Sequence, residues 1–160
     1  MTLAPALQTV HAYHRSPLGD LLLTGDGHTL AGLTVPGQRA ATGVRDDAAF
    51  PEVRRQLDAY FAGELHRFDL PLRTAGTAFR EQVWRALDSV PFGETTTYGA
   101  LAASIGLPRN AVRAVGGAVG ANPLLIVRPC HRVVGADGSL TGFAGGLENK
   151  RLLLSLEGAR

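Results

Sequence analysis

Residues 110–134 read NAVRAVGGAVGANPLLIVRPCHRVV, and the interpretation of this stretch decides the architecture of the chain. Val112, Val115 and Val119 recur at helical spacing, as a stripe packed on a core does. The other face carries Arg113, Gly117 and Gly120, with Ala114 alongside and Arg109 one turn before Arg113. Two adjacent glycines inside a helix cost about 1 kcal/mol each relative to alanine. Arginines four apart repel by a few tenths of a kcal/mol. A helix that carries both penalties needs a bare surface beside positive charge, which is what close approach to a nucleic-acid backbone or minor groove requires. The alternative is close helix–helix packing through the glycines, with the arginines left at its rim.

Upstream, Thr97 is placed to cap a short helix over Tyr98–Ile105, and Gly106-Leu107-Pro108 turns the chain into the glycine-rich helix. Two short helices across a tight turn form a helix-turn-helix. Before them, Thr77 caps a helix on which Phe79, Val83 and Leu87 share a face, ended by Val90-Pro91. The character changes near Arg73–Gly76, which divides the chain into domains at 1–74 and 75–160. The first part is expected to be mostly strand. Thr9–His14, Leu18–Thr24 and Thr29–Val35 form a small antiparallel meander, followed by loop over Gly37–Asp47. Pro51 then starts a helix to about Ala62, with Val53, Leu57 and Phe61 on its buried face, and Phe68–Leu72 adds a short strand.

Downstream, Leu124–Val127 reads as a buried strand leading into Pro129-Cys130-His131-Arg132. Cys130 is the sole cysteine, so an internal disulfide and a Cys-rich zinc site are both excluded. A lone thiol is commonly a small core residue, but here Arg128, His131 and Arg132 lie within two positions. Positive charge or a histidine base raises the reactive thiolate fraction of such a group. In an extended chain Cys130 and His131 would point to opposite faces; either the backbone turns there or a water relays the proton, and the relay is the favoured reading. Gly142–Gly146 is a flexible loop whose amides line a pocket, and Leu147–Leu156 is a helix stopped by Gly158. Glu157 sits at that helix's C-terminal end, where the macrodipole disfavours a carboxylate. It either orients a histidine, as a buried acid does in a catalytic triad, or is exposed at a frayed end.

Charge maps unevenly. Residues 1–74 hold seven Arg and eight acids, residues 75–160 nine Lys or Arg and six acids. Thr95–Ala136 contains Arg109, Arg113, Arg128 and Arg132 with no acid, a patch suited to a polyanion. With 45% hydrophobic and 19% charged residues the composition is that of a soluble globular protein. No apolar run nears the roughly 18 residues of a membrane span, and the leading MTLAPALQTV lacks the pattern of an export signal. The expected location is cytoplasmic.

On Pro129–Val134, Arg113–Gly117, Asn122-Pro123, Gly145-Gly146-Leu147 and Glu157-Gly158, the chain resembles the O6-alkylguanine-DNA alkyltransferases, or methylated-DNA–protein-cysteine methyltransferases. The match runs from about Phe79 to Gly158. The first 74 residues resemble that family's variable N-terminal α/β domain, a small antiparallel sheet plus helix of ribonuclease-H-like shape. A mainly α C-terminal domain with a winged-helix-like helix-turn-helix follows. The resemblance implies Cys130 as alkyl acceptor, His131 as base through a water, Glu157 as its orienter and Asn122 as hinge. It implies Tyr98 as proton donor to the leaving guanine and Arg113 as the finger that replaces the flipped nucleotide. Arg109, Ala114 and Gly117 would lie against DNA, and Val119, Phe143 and Ala144 would line the base pocket. The implied partner is alkylated double-stranded DNA, read from the minor groove by a monomer with no membrane contact.

No cofactor and no metal are implied: His11, His14, His28 and His66 have no cysteine to join them at a zinc site. Three features depart from the family pattern. Arg128 stands where Ile or Val usually precedes Pro-Cys, Phe143 stands where many members have Tyr, and the turn Gly106–Asn110 is one residue longer. Competing readings are a lesion binder without chemistry, a transcriptional regulator with a sensor cysteine, and a thiol hydrolase. The acceptor cysteine argues against the first, the lack of a Cys-rich module against the second, and the basic helix against the third.

Overall fold

The computed structural model describes residues 8–159. The leading segment whose composition argues against export falls mostly at residues 1–7, outside the described residues. The meander forms where its turn residues direct. Strands β1 (Val10–Ser16) and β2 (Gly19–Gly25) pair antiparallel, and β3 (Leu30–Thr34) pairs antiparallel with β2. Between β2 and β3, Asp26 Oδ1 accepts the amides of His28 and Thr29 at 2.9 and 2.7 Å, an Asx-type turn. Ala12, Leu21, Leu23, Leu30 and Leu33 face inward with no exposed surface.

The stretch 37–47 departs from the expected loop. Val44–Arg45 forms a two-residue strand, β4, parallel to β1, so that the sheet order is β3-β2-β1-β4. The Val44 amide donates to Thr9 O and the Asp46 amide to His11 O, which satisfies part of the edge of β1. Helix α1 (Pro51–Phe61) carries Pro in its first turn, as expected, but its inner face is Val53, Gln56, Leu57 and Tyr60, with Phe61 only half-buried. The spacing 53, 57, 60 stays closer to one side of a 3.6-residue helix than 53, 57, 61 does. Residues 68–72 are not a strand. Gln56 accepts the Asp69 amide on Oε1 and donates from Nε2 to the Asp69 carbonyl, both at 2.9 Å, and only Leu72 bridges to β3, at Leu30.

Helix α2 (Ala78–Leu87) starts at Thr77, whose hydroxyl accepts the Arg80 amide, and α3 (Tyr98–Ser104) starts at Thr97, whose hydroxyl accepts the Ala100 amide. A 3-10 turn over Arg109–Ala111 leads into α4 (Val112–Gly120). Its buried residues are Val115, Ala118 and Val119, with Val112 half-exposed at the end of the expected stripe. Trp84 Nε1 donates to Ala118 O at 2.8 Å and ties α2 to α4. A pairing that the pattern did not reveal joins β5 (Thr96–Thr97) in parallel to β6 (Val133–Val134). Helix α5 (Leu147–Leu156) ends at Gly158, whose φ of 70° is the left-handed geometry of a glycine stop.

Leu124, Leu125 and Ile126 are buried as expected and Val127 is half-buried, but the segment is a tight turn instead of a strand. Ile126 adopts φ 72°, the Val127 amide donates to Leu125 O, and the Arg128 amide to Leu124 O. A short apolar run reads the same whether it is strand or buried turn. One apolar cluster continues from the sheet and α1 through α2 and α4 to Cys130 and Leu153. β3 reaches the segment before the cysteine directly, since the Leu33 amide donates to Pro123 O and the Leu125 amide to Leu33 O. Among the described residues no helix is long and apolar enough to cross a membrane.

Candidate active site

Cys130–Arg132 forms a single 3-10 turn, closed by the Arg132 amide on Pro129 O at 3.0 Å. The backbone therefore turns at the Cys-His pair, and the opposite-face geometry of an extended chain does not apply. Cys130 is 4% exposed and His131 is fully buried. Asn122, just past α4, holds the approach to this turn. Its amide group donates to Leu124 O and Arg128 O at 3.3 and 3.0 Å, while its oxygen accepts the Leu124 amide at 3.0 Å. One buried side chain thus ties the end of the glycine-rich helix to the residue two before the cysteine.

His131 Nε2 lies 2.7 Å from Glu157 Oε2. Glu157 is buried at the end of α5, which rules out a frayed exposed end. Its carboxylate also accepts Arg132 Nε on Oε1 at 2.8 Å, Arg132 Nη2 on Oε2 at 3.0 Å and the Tyr60 hydroxyl on Oε2 at 2.6 Å. Burial alone would raise its pKa. The donors from His131, Arg132 and Tyr60 outweigh that and hold the acid well below its ordinary 4.5, at about 2. Burial keeps His131 below its ordinary 6.5, opposed by the Glu157 carboxylate, so the resting imidazole is neutral at neutral pH. With Glu157 ionised, Nε2 carries the proton and Nδ1 is the basic nitrogen. Nδ1 is buried without a hydrogen-bond partner among the described residues. Burial pushes the Cys130 thiol up to about 11, against the pull of the Asn122 amide, the Lys150 charge and neighbouring backbone amides.

A hollow of about 430 Å³ is lined by Tyr98, Val112, Gly116, Gly120 and the loop Thr141–Ala144. Phe143 and Ala144 therefore sit where the sequence placed a pocket, whereas Val119 is packed in the core and is not among the lining residues. Tyr98 points its hydroxyl at Thr141, whose Oγ1 donates to it at 3.1 Å. Gly145 suits the packing of this loop: a Cβ there would stand 2.6 Å from Phe143 Cε2 and 3.0 Å from Leu125 Cδ1, so those side chains would have to shift. Lys150, fully buried on α5, donates to Val133 O at 2.6 Å and Thr141 O at 3.1 Å. It joins the pocket loop to the strand that leaves the Cys130 turn.

The outer face of α4 exposes Arg113, Ala114, Gly117 and Gly120, and Arg109 is exposed one turn before. A Cβ built on Gly117 or Gly120 would meet nothing within 4 Å, and one on Gly116 only the Tyr98 ring at 3.8 Å. Gly117 and Gly120 are not a helix–helix contact; they leave a bare surface, while Gly116 faces Tyr98 of α3. The basic patch is smaller than the count of arginines implied. Arg132 is committed to Glu157 and Val90 O, and Arg128 is buried 5.9 Å over the Trp84 ring, its Nε 3.9 Å from Asp88. Arg128 thus does not face solvent. His14 pairs with Asp58 at 2.7 Å, His11 with Thr42 O at 2.9 Å, and His66 stacks on Phe92. Among the described residues no cluster of His, Cys, Asp and Glu is arranged to hold a metal ion.

Models of two domains, the 6-O-methylguanine DNA methyltransferase ribonuclease-like domain and its DNA-binding domain, match residues 9–74 and 78–159. The chain belongs to the 6-O-methylguanine DNA methyltransferase family. A methylated-DNA–protein-cysteine methyltransferase of Methanosarcina acetivorans is 47% identical over 154 residues, 93% of this chain and 98% of that relative. One from Haemophilus influenzae is 44% identical over 153 residues, 92% of this chain and 85% of that relative. A crystal structure of Mycobacterium tuberculosis OGT in complex with DNA shares the fold with a TM-score of 0.89 at 48% identity, covering 93% of this chain and 92% of that one.

Three residues of this methyltransferase site escaped the sequence reading. Arg132 was legible as charge near the thiol, but not as the second ligand of Glu157. Lys150 looks like an ordinary surface residue of an amphipathic helix. Tyr60 reaches Glu157 across 97 positions of chain, and its one local signal was its place on the inner arc of α1.

Proposed function

We propose that this family member repairs DNA by direct damage reversal, moving the alkyl group of O6-alkylguanine irreversibly onto Cys130, once per molecule. The observation that carries the reading is a nucleophile and a base fixed in one turn. Cys130 is followed by a His131 whose Nε2 is locked on Glu157, leaving its Nδ1 as proton acceptor.

A base cannot be attacked inside a duplex, so the nucleotide is flipped into the hollow beside Phe143 and Ala144. Arg113 fills the gap in the stack, while Arg109, Ala114 and Gly117 lie along the minor groove. The thiol proton passes through a water to His131 Nδ1, and Glu157 stabilises the imidazolium that forms. Sγ attacks the alkyl carbon, the carbon–O6 bond breaks, and its electron pair leaves with the purine. Tyr98 supplies a proton to the departing guanine; because Thr141 donates to the Tyr98 oxygen, the phenol proton is free for that use. Phe143 contributes stacking without a hydroxyl, so amides near Ala144 carry the polar contacts to the base. The thioether product resists hydrolysis, so each molecule acts once. Asn122 is the hinge between helix and active-site turn, and no cofactor takes part.

The wider reading is a cytoplasmic monomer of two domains, 1–74 of ribonuclease-H-like shape and 75–160 with a winged-helix-like helix-turn-helix. The test is Cys130→Ala assayed on an O6-methylguanine duplex. Lost transfer with retained DNA binding is expected; residual transfer at the wild-type rate would exclude Cys130 as acceptor.

A further inference from the structure

We propose that Tyr60, on helix α1 of the N-terminal half, is a positioning residue of the alkyl-transfer site, fixing the Glu157 carboxylate and through it the proton affinity of His131. The inference rests on the functional reading above and gives the N-terminal half a share in the chemistry. The Tyr60 hydroxyl donates to Glu157 Oε2 at 2.6 Å, the same oxygen that lies 2.7 Å from His131 Nε2. Tyr60 has no exposed surface, and its ring is packed by Phe61, Phe68 and Phe92. The phenol is therefore held in place by three aromatic rings, one from α1 itself, one from the segment after it and one from the loop before α3. Oε2 accepts three donors, from His131, Tyr60 and Arg132. A buried carboxylate shared in this way stays ionised yet is a tempered acceptor toward each partner.

The titratable groups facing His131 are Glu157, Arg132 and Lys150, with Cys130 adjacent in the chain; those facing Glu157 are His131, Arg132 and the Tyr60 hydroxyl. Without the phenol oxygen, Oε2 keeps only His131 and Arg132, accepts more strongly from the imidazole, and stabilises the imidazolium more. A proton added to the resting Cys130–His131 pair is then held more tightly. The acidic limb of the transfer rate therefore moves to higher pH when Tyr60 loses its hydroxyl.

The experiment is single-turnover transfer from an O6-methylguanine duplex to wild type and Tyr60→Phe, measured across pH, with duplex affinity and melting temperature recorded on both. Phenylalanine keeps the ring and its packing. The expected result is an acidic limb raised by about half a pH unit or more, the part that reaches His131 through Glu157 of the roughly one to two units that a lost hydrogen bond to a charged group is worth, with duplex affinity unchanged. A limb that stays in place overturns the inference, whether or not the melting temperature falls, because Tyr60 would then only pack and satisfy its own hydroxyl. A downward shift overturns it too. Wild-type protein that transfers nothing would sink the functional reading itself, so the two failures are told apart.

Discussion

Replacing Glu157 by Gln removes the charge at the centre of the site while keeping its shape. The carboxylate accepts from His131, Tyr60 and twice from Arg132. An amide has one oxygen. If that oxygen faces His131 and Tyr60, its NH2 confronts Arg132 Nε; if the amide is flipped, its NH2 confronts the His131 and Tyr60 donors. Either way a buried donor loses its acceptor, and the Arg132 guanidinium loses its counterion. Removing one partner of a buried pair costs about 3–5 kcal/mol, which for a chain of this size lowers the melting temperature by roughly 10 °C. The deficit depends on pH. Glu157 titrates at about 2 when folded against an ordinary 4.5, a depressed value, so its stabilisation is complete above 4.5 and is lost as pH falls toward 2. Denaturant unfolding of wild type and Glu157→Gln at neutral pH and through the acid range measures both effects. The gap is expected to be about 3 kcal/mol or more at neutral pH and to narrow in acid. A gap below about 1 kcal/mol, or one that does not narrow in acid, would refute the assignment of Glu157 as an ionised hub.

Gly117→Ala separates folding from binding: with open space around its Cβ position, it should stabilise the helix by roughly 0.5–1 kcal/mol yet weaken duplex binding, read by chemical unfolding and by DNA titration. Arg113→Ala should slow transfer from duplex DNA more than from the free modified base, as compared by single-turnover rates on the two substrates. Lys150→Met frees two backbone carbonyls and loosens the pocket loop; transfer should fall about tenfold or more, the scale of a charge-assisted hydrogen bond, with duplex affinity nearly unchanged in the same binding assay.

Local chemistry was the legible part of this fold. Thr77 and Thr97 read as caps and are caps, because a hydroxyl on the next turn's amide needs nothing from the rest of the chain. Gly158 likewise stops α5 by its own conformational freedom. What the pattern missed depends on distant partners. Residues 124–127 read as a strand because an apolar run does not reveal that Asn122 and β3 bend it into a turn. The parallel pair β5 and β6 is too short to leave a period. Arg128 and Arg132 counted toward a surface patch because composition records charge but not burial. In the site, Cys130, His131, Asn122 and Glu157 stood out by neighbourhood and resemblance; the structure joins His131 to Glu157 and ties Asn122 to the backbone just before the cysteine. Lys150 and Tyr60 did not, since nothing local marks a lysine whose acceptors are backbone carbonyls or a phenol whose acceptor lies on another helix.

The measurement that bears most directly on the central claim is the intact mass of the protein after incubation with an O6-methylguanine oligonucleotide, followed by peptide mapping. The account predicts a gain of one methyl group per molecule, on the peptide that contains Cys130. An unchanged mass alongside tight binding to the lesion, or a methyl group on any other peptide, would contradict it.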